Sequence, residues 1–243
     1  MVFSSLPFLF IFLPVCLILY FAVPGWVREK TVDGEGVAVK RKKKDLRYKN
    51  AVLLVMSLVF YTAGEPVYVL LLVFCALTGW VSGFLIEKYR ESSPKKAKAA
   101  AIVCVALCLS ILFVFKYLAF FLDTLRLLPF VDLAPVKLTL PIGISFYTFQ
   151  TVSYDIDLLR GNAALQKNFG RFLLFVSLFP QLIVGPILRY KDIEVQLTDR
   201  AATKEKFCGG IVRFLCGCAK VCRLNRCTRK YRLFLADFCY RKA

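Results

Sequence analysis

Tyr147, Gln150 and Tyr154 are the residues of this chain best suited to chemistry, because their spacing of i, i+3 and i+7 puts two phenols and an amide on one helical face. They follow Pro141 and Gly143 inside an otherwise apolar run, and Ser153, Asp155 and Asp157 come just behind them. A second run, Phe179 to Tyr190, holds Pro180, Gln181, Gly185, Pro186 and Arg189. Helix breakers and polar side chains in apolar surroundings leave backbone groups whose exposure to lipid costs several kcal/mol, unless protein or a water-filled cavity encloses them. The polar face of the first run therefore points into a bundle, either lining a cavity or bonding a partner helix. General-base chemistry has no obvious carrier. The chain has no histidine, and a tyrosine with an ordinary pKa of about 10 is a poor base at neutral pH. Asp155 and Asp157 fall at the end of their apolar run.

The elements that must position these residues are membrane helices. Hydrophobic residues make up 58% of 243 positions, and they come in charge-free blocks instead of a periodic scatter, which marks a membrane chain. The blocks are Phe3 to Val23, Ala51 to Gly64, Pro66 to Ile86, Ala99 to Phe115 (extending past Lys116 to Leu122), Leu138 to Tyr154 and Phe172 to Leu188. A span needs about 20 residues, so the first, third and fourth suffice alone. The second spans only by recruiting Tyr48 and Asn50, with Gly64-Glu65-Pro66 as the tip of a helical hairpin. The first block has no positive n-region and no small-residue cleavage pattern, so it reads as an uncleaved helix and not as a signal peptide. The expected class is all-α, a polytopic helical bundle of about six membrane blocks.

Charge sets the expected orientation. The net charge of +18 would suggest nucleic acid in a soluble protein, but here the cations sit in loops between apolar blocks and no nucleic-acid partner is expected. The segment from Pro24 to Asn50 has nine Lys or Arg against four acids, and Glu87 to Lys98 has five against two. The positive-inside rule makes both cytoplasmic and puts the N-terminus and the Gly64-Glu65-Pro66 tip outside. The run Lys40-Arg41-Lys42-Lys43-Lys44 is either a topology signal or a patch for anionic head groups. A full crossing by Phe172 to Leu188 would leave Arg189, Lys191, Arg200, Lys204 and Lys206 outside, so a re-entrant element broken at Pro180 and Gly185-Pro186 is expected.

The ten cysteines do not form a disulfide or metal pattern. Cys16, Cys75, Cys104 and Cys108 lie within apolar blocks as small packing residues. The gaps among Cys208, Cys216, Cys218, Cys222, Cys227 and Cys239 match no zinc spacing, so no metal is expected.

The opening Met1 to Phe10, the Leu140 to Gln150 run and the Phe179 to Tyr190 run together resemble the membrane-bound O-acyltransferase family, in the branch of alginate O-acetyltransferases and teichoic-acid D-alanyl transfer proteins. Ser153, Tyr154, Asp157, Arg160 and Gly161 follow the family's Ser-Tyr-x-x-Asp-x-x-Arg-Gly arrangement, and Lys191-Asp192-Ile193, Phe207, Gly210 and Arg213-Phe214 extend the likeness. It covers roughly residues 1 to 219, similar to the N-terminal half of such proteins. The resemblance implies transfer of an acyl group, acetyl first among candidates, from an acyl-CoA or acyl-carrier thioester to a hydroxyl of a cell-surface polysaccharide. An extracytoplasmic acyl-transfer partner, the lipid bilayer and a multi-pass place in the cell membrane go with it, and no bound cofactor does. Tyr147, Gln150, Tyr154, Asp157, Arg160, Gln181 and Arg189 are the candidate acyl-path residues. The family's base is a downstream histidine, so no catalytic residue is assigned here. Residues 1–219 read as part of the membrane domain. Lys220 to Ala243, with eight Lys or Arg against one acid, reads as a tail outside the fold, either the product of a frameshift or early stop or an amphipathic surface segment using Leu233, Phe234, Leu235 and Phe238. On this reading the chain is an inactive fragment. The rival reading is a non-enzymatic transporter half or scaffold.

Overall fold

The short stretch from Phe8 to Phe12 already shows how this chain packs. It forms one π-helical turn running into helix α1, Leu13–Ala22, and its Phe8 and Phe12 rings meet Phe60 and Phe179 at centroid distances of 5.2 to 6.2 Å. The structure is a computed structural model that describes residues 7–23, 26–32, 38–44, 46–125, 140–182, 188–200 and 205–217.

Strands β1, Trp26–Val32, and β2, Ala38–Lys44, pair antiparallel. The helices that follow are α2, Arg47–Thr62, α3, Val69–Arg90, α4, Pro94–Leu125, α5, Ile144–Leu159, α6, Phe169–Ser177, α7, Phe179–Leu182, and α8, Tyr190–Thr198. Residues 205–217 form a further helix, α9. Residues 1–199 make one compact unit and residues 200–243 a second. The expected helical class holds, with one addition: the basic segment between α1 and α2, read as a loop, contains a β ribbon. The expected boundary at 219/220 and the basic tail lie outside the described residues.

Among the described residues two helices are long and apolar enough to cross a membrane, Val69–Arg90 and Pro94–Leu118, while Phe8–Ala22 is shorter. Helix α2 recruits Tyr48 and Asn50 as expected, but its 16 residues rise only about 24 Å against a hydrocarbon core of about 30 Å. Pro94 opens α4 at its first position, where a missing N–H costs nothing. Pro180 has the same licence near the start of α7. Its ring would collide with the carbonyl four residues back if α6 continued, and the chain leaves helical geometry at Leu178, with ψ of 112°. The expected break in Phe172 to Leu188 is therefore present, two residues before the proline. The Gly185-Pro186 part of the expected re-entrant element lies outside the described residues.

The core sits where α3, α5 and α6 meet. Gly79 and Gly83 lie one turn apart on α3 and let α5 approach closely. A Cβ on Gly79 would stand 2.3 Å from Thr151 Cγ2, and one on Gly83 would stand 3.1 Å from the Tyr154 ring. Leu72, Cys75, Tyr147, Tyr154, Phe172 and Phe175 fill the surrounding layer and are fully buried.

Candidate functional site

Helix α5 carries the candidate site, and both of its ends are fixed by local chemistry. Gly143 is its N-cap with φ of 79°, a left-handed conformation that glycine adopts freely. The backbone N–H of Ile142 donates to Glu65 Oε2 at 2.9 Å, so the turn joining α2 to α3 places a carboxylate near the positive end of α5. At the other end the N–H of Asn162 donates to the Asp157 carbonyl and that of Gly161 to the Leu158 carbonyl, at 2.8 and 3.1 Å. With Gly161 at φ of 77°, this is a Schellman termination. The Arg160-Gly161 pair of the sequence motif thus ends a helix.

Between these ends α5 buries Tyr147, Thr148, Gln150, Thr151, Tyr154, Asp155 and Asp157. Thr151 and Tyr154 have structural partners. The Thr151 hydroxyl donates to the Tyr147 carbonyl at 2.9 Å. The Tyr154 hydroxyl accepts from the Gln166 N–H at 3.0 Å, and its ring packs on Phe172 and Tyr190. Gln166 also donates through Nε2 to the Tyr190 hydroxyl at 2.7 Å. Burial, with Glu194 adding to it, pushes the Tyr190 phenol up to about 12, so it remains a neutral acceptor for that amide.

Tyr147, Thr148, Gln150, Asp155 and, on neighbouring helices, Tyr61, Ser177 and Gln181 differ: each buries at least one side-chain polar atom without a hydrogen-bond partner. Tyr61 and Tyr147 lie close enough to influence each other, although neither hydroxyl reaches bonding geometry. Gln181 spends its amide N–H on the Phe175 carbonyl and keeps its oxygen unpaired. An unsatisfied buried polar group costs about 1–3 kcal/mol, so several in one core set this region apart from ordinary apolar packing.

The sequence candidates separate accordingly. Tyr147, Gln150 and Gln181 are buried with unpaired atoms, and Tyr154 is buried but engaged. Asp157 is buried near the end of α5. Arg160, the C-cap of α5, and Arg189, the N-cap of α8, are exposed and join no buried cluster. Sequence reasoning missed Tyr61 and gave Asp155 no place in the core. Asp155 is fully buried and faces Ser82 of α3 and Cys104 of α4. Its position four residues after Thr151 and eight after Tyr147, on the face toward α3, was the available signal. Cys16, Cys75, Cys104 and Cys108 are buried free thiols, and among the described residues no three potential ligands group to hold a metal.

A second feature lies where α2 and α6 begin. Arg47, Asn50, Asn168, Gly170 and Arg171 line a cavity of about 190 Å³ together with Ala51 and Leu54. Asn168 caps α6 by accepting from the Arg171 N–H at 3.2 Å, and Asn50 donates to the Leu197 carbonyl at 2.9 Å. Among the described residues, two arginines and no acid line this pocket.

Fold and site together define a helical protein with two helices apolar and long enough to cross a membrane, carrying buried polar groups without partners on one short helix held between longer ones. Over most of its length the chain is similar to curated alginate O-acetylases, in keeping with the resemblance of its motifs. It is 38% identical over 224 residues to the "Probable alginate O-acetylase AlgI" of Pseudomonas aeruginosa, covering 90% of this chain and 39% of that protein. With the protein of the same name from Pseudomonas putida the identity is 37%, covering 90% of this chain and 42% of the relative. The "Peptidoglycan O-acetyltransferase" of Helicobacter pylori is 26% identical over 225 residues, 82% of this chain and 39% of that protein. The chain thus spans about two fifths of the length of these curated relatives. No family model matches the chain, and no solved structure does.

Proposed function

We propose that this chain forms the acyl-path half of an O-acyltransferase that moves an acyl group, acetyl by likeness to its relatives, onto a hydroxyl of a cell-surface polysaccharide. The observation that carries the reading is the α5 stripe. Tyr147 and Gln150, with Tyr61 and Gln181 from neighbouring helices, hold donors and acceptors that nothing in the described fold satisfies. The Tyr61 and Tyr147 hydroxyls and the Gln150 amide N–H, held in a low-dielectric interior, suit a thioester carbonyl and the oxyanion that forms from it. The donor is an acyl-CoA or acyl-carrier thioester. Both carry phosphate on the pantetheine arm, and the Arg47–Arg171 pocket supplies the guanidinium pair that recognises it. The membrane topology in this reading puts that pocket and the basic ribbon in the cytoplasm, the N-terminus and the Glu65 turn outside, and the 172–188 segment as a re-entrant element. The polymer acceptor, and an extracytoplasmic partner that hands the acyl group on, approach from the outer face.

The chain supplies no histidine, the base that the resemblance implies, so the 243 residues alone are inactive in this reading. A positioned base contributes typically 10²- to 10⁴-fold. The test is expression in a strain lacking its own enzyme, with ester-linked acyl groups on the surface polymer as the readout. A form extended to the length of the relatives should acylate and this chain should not. Equal rates from both would reject the proposed division between path and base.

A further inference from the structure

Gln166, between α5 and α6, uses its backbone N–H, its carbonyl and both ends of its side-chain amide, and in doing so decides where two buried protons cannot point. Its Oε1 accepts from the Asn168 N–H at 3.0 Å. That bond fixes which end of the amide is oxygen, so Nε2 faces the Tyr190 hydroxyl at 2.7 Å, and an amide nitrogen only donates. The Gln166 backbone N–H donates to the Tyr154 hydroxyl at 3.0 Å, and the Gln166 carbonyl accepts from Trp80 Nε1 at 3.0 Å. Both phenol oxygens are therefore acceptors here.

A phenol that accepts still has its own O–H to give. Among the described residues neither the Tyr154 nor the Tyr190 O–H has an acceptor, although the two side chains are 0% and 1% exposed. Buried donors are nearly always paired, so two unspent ones side by side call for an acceptor. They are side by side: the rings meet edge to face at 5.0 Å between centroids, Phe172 and Phe175 back them at 4.7 and 5.3 Å, and both hydroxyls bond the same residue. The charges around them choose the acceptor. Glu194 acts on both phenols, Asp155 on Tyr154 and Arg171 on Tyr190. Two acidic residues against one cation disfavour a carboxylate or a phosphate, because like charges repel strongly where water is excluded. A neutral carbonyl oxygen, which accepts and does not donate, is the group that fits. We infer that Tyr154 and Tyr190 form a two-donor site for the carbonyl oxygen of an acyl group, with Gln166 as the positioning residue that turns both O–H bonds toward it. The identity of the occupant rests on the acyl-transfer reading, and the room for one does not.

The test separates the two roles of each phenol oxygen. O-methyltyrosine in place of Tyr154 or Tyr190 keeps the oxygen that accepts from Gln166 and puts a methyl group where the carbonyl would stand. In the full chain in detergent, each O-methyl form should lower the unfolding midpoint less than Tyr154→Phe or Tyr190→Phe does, because phenylalanine strands a Gln166 donor while the methyl group enters open space. The second measurement is infrared difference spectroscopy with S-acetyl-N-acetylcysteamine labelled with carbon-13 at the thioester carbonyl. The chain should shift part of that carbonyl band to lower frequency, and either O-methyl form should lose most of the shift. Gln166→Glu keeps the oxygen that accepts from Asn168 but lets a carboxylate take the Tyr190 proton, so the shift should shrink without vanishing. An O-methyl form less stable than its phenylalanine counterpart would show that there is no room beyond the hydroxyl, and the site would be rejected. Tolerated methyl groups with an unshifted band would leave the donors to water and overturn the carbonyl assignment. Methyl groups tolerated in this chain but not in a form extended to the relatives' length would hand the donors to the remaining sequence, which also defeats the inference. A shifted band together with no acyl transfer by the extended form would sink the proposed function and leave the site standing.

Discussion

Gly79→Ala tests the packing that holds α5 in place, because two known quantities oppose each other at that position. Alanine in a helix interior is favoured over glycine by about 0.8–1.0 kcal/mol. Its Cβ would stand 2.3 Å from Thr151 Cγ2, with Phe172 Cζ at 3.4 Å behind it. Real Cβ contacts do not occur at the shorter distance, so α3 and α5 must separate, and overpacking of this kind costs typically 1–3 kcal/mol. The net expectation is destabilisation of up to about 2 kcal/mol, the clash less the propensity gain. At about 2–4 °C per kcal/mol for a chain of this size, the unfolding midpoint drops by up to about 8 °C. Thr151→Ser removes the offending methyl group and keeps the hydroxyl that bonds the Tyr147 carbonyl. In that background the clash disappears and the propensity gain remains, so Gly79→Ala should become neutral or stabilising. Thermal unfolding of the four proteins of the cycle in one detergent reads the coupling, expected at about 1–3 kcal/mol and favourable to the double variant. Effects that add to within about 0.5 kcal/mol would refute the packing argument.

Gly143→Ala should be worse than Gly79→Ala and should resist rescue, since the new Cβ meets the Leu182 backbone carbonyl at 2.8 Å and φ is 79°; detergent-extracted yield and midpoint should both fall, with no single side-chain change in α7 restoring them. Phe60→Ala should cost about 3–5 kcal/mol, because Phe60 is buried against Phe8, Phe12 and Phe179, and limited proteolysis should then reach α1 while the α3–α4 hairpin stays protected. For topology, an impermeant thiol reagent on intact cells should label Glu65→Cys and not Gly34→Cys in a background lacking the native cysteines, and the reverse pattern would overturn the assigned orientation. Tyr147→Phe and Gln150→Leu in a form extended to the relatives' length should leave accumulation in the membrane unchanged or improved, since each removes an unsatisfied buried group, while lowering acyl transfer; unchanged transfer by both would remove the α5 stripe from the path.

Legibility from sequence followed the physics of each feature. The helices α3 and α4 were plain because an apolar run of span length needs no context. Tyr147, Gln150 and Gln181 were legible as buried because polar groups in such runs must turn inward. What hid Tyr61 was its ordinary appearance: a phenol near the end of an apolar helix reads as an interface anchor until α5 is packed against it. The Gly79-x-x-x-Gly83 spacing was visible but uninterpreted, since only the structure says which helix fills the space. The ribbon was obscured by its own charge, as seven basic residues in its strands depress any strand reading, and pairing register is a long-range property. Arg160 and Arg189 stand exposed at helix ends, and a motif spacing does not distinguish a residue that lines a path from one that ends or begins a helix.

The two attachments at the ends of α5 have a mechanical meaning. Glu65 holds the backbone just before its start, and Arg90 Nη1 donates to the Leu158 carbonyl near its finish at 3.5 Å. Glu65 precedes α3 and Arg90 is its last residue, so α3 and its approach act as a bracket gripping α5 at both tips, with Gly79 and Gly83 seating it midway. A rod clamped in this way cannot slide along its axis or tilt without breaking one grip. An opening of the polar stripe therefore moves the neighbours of α5, and α5 itself is the fixed wall.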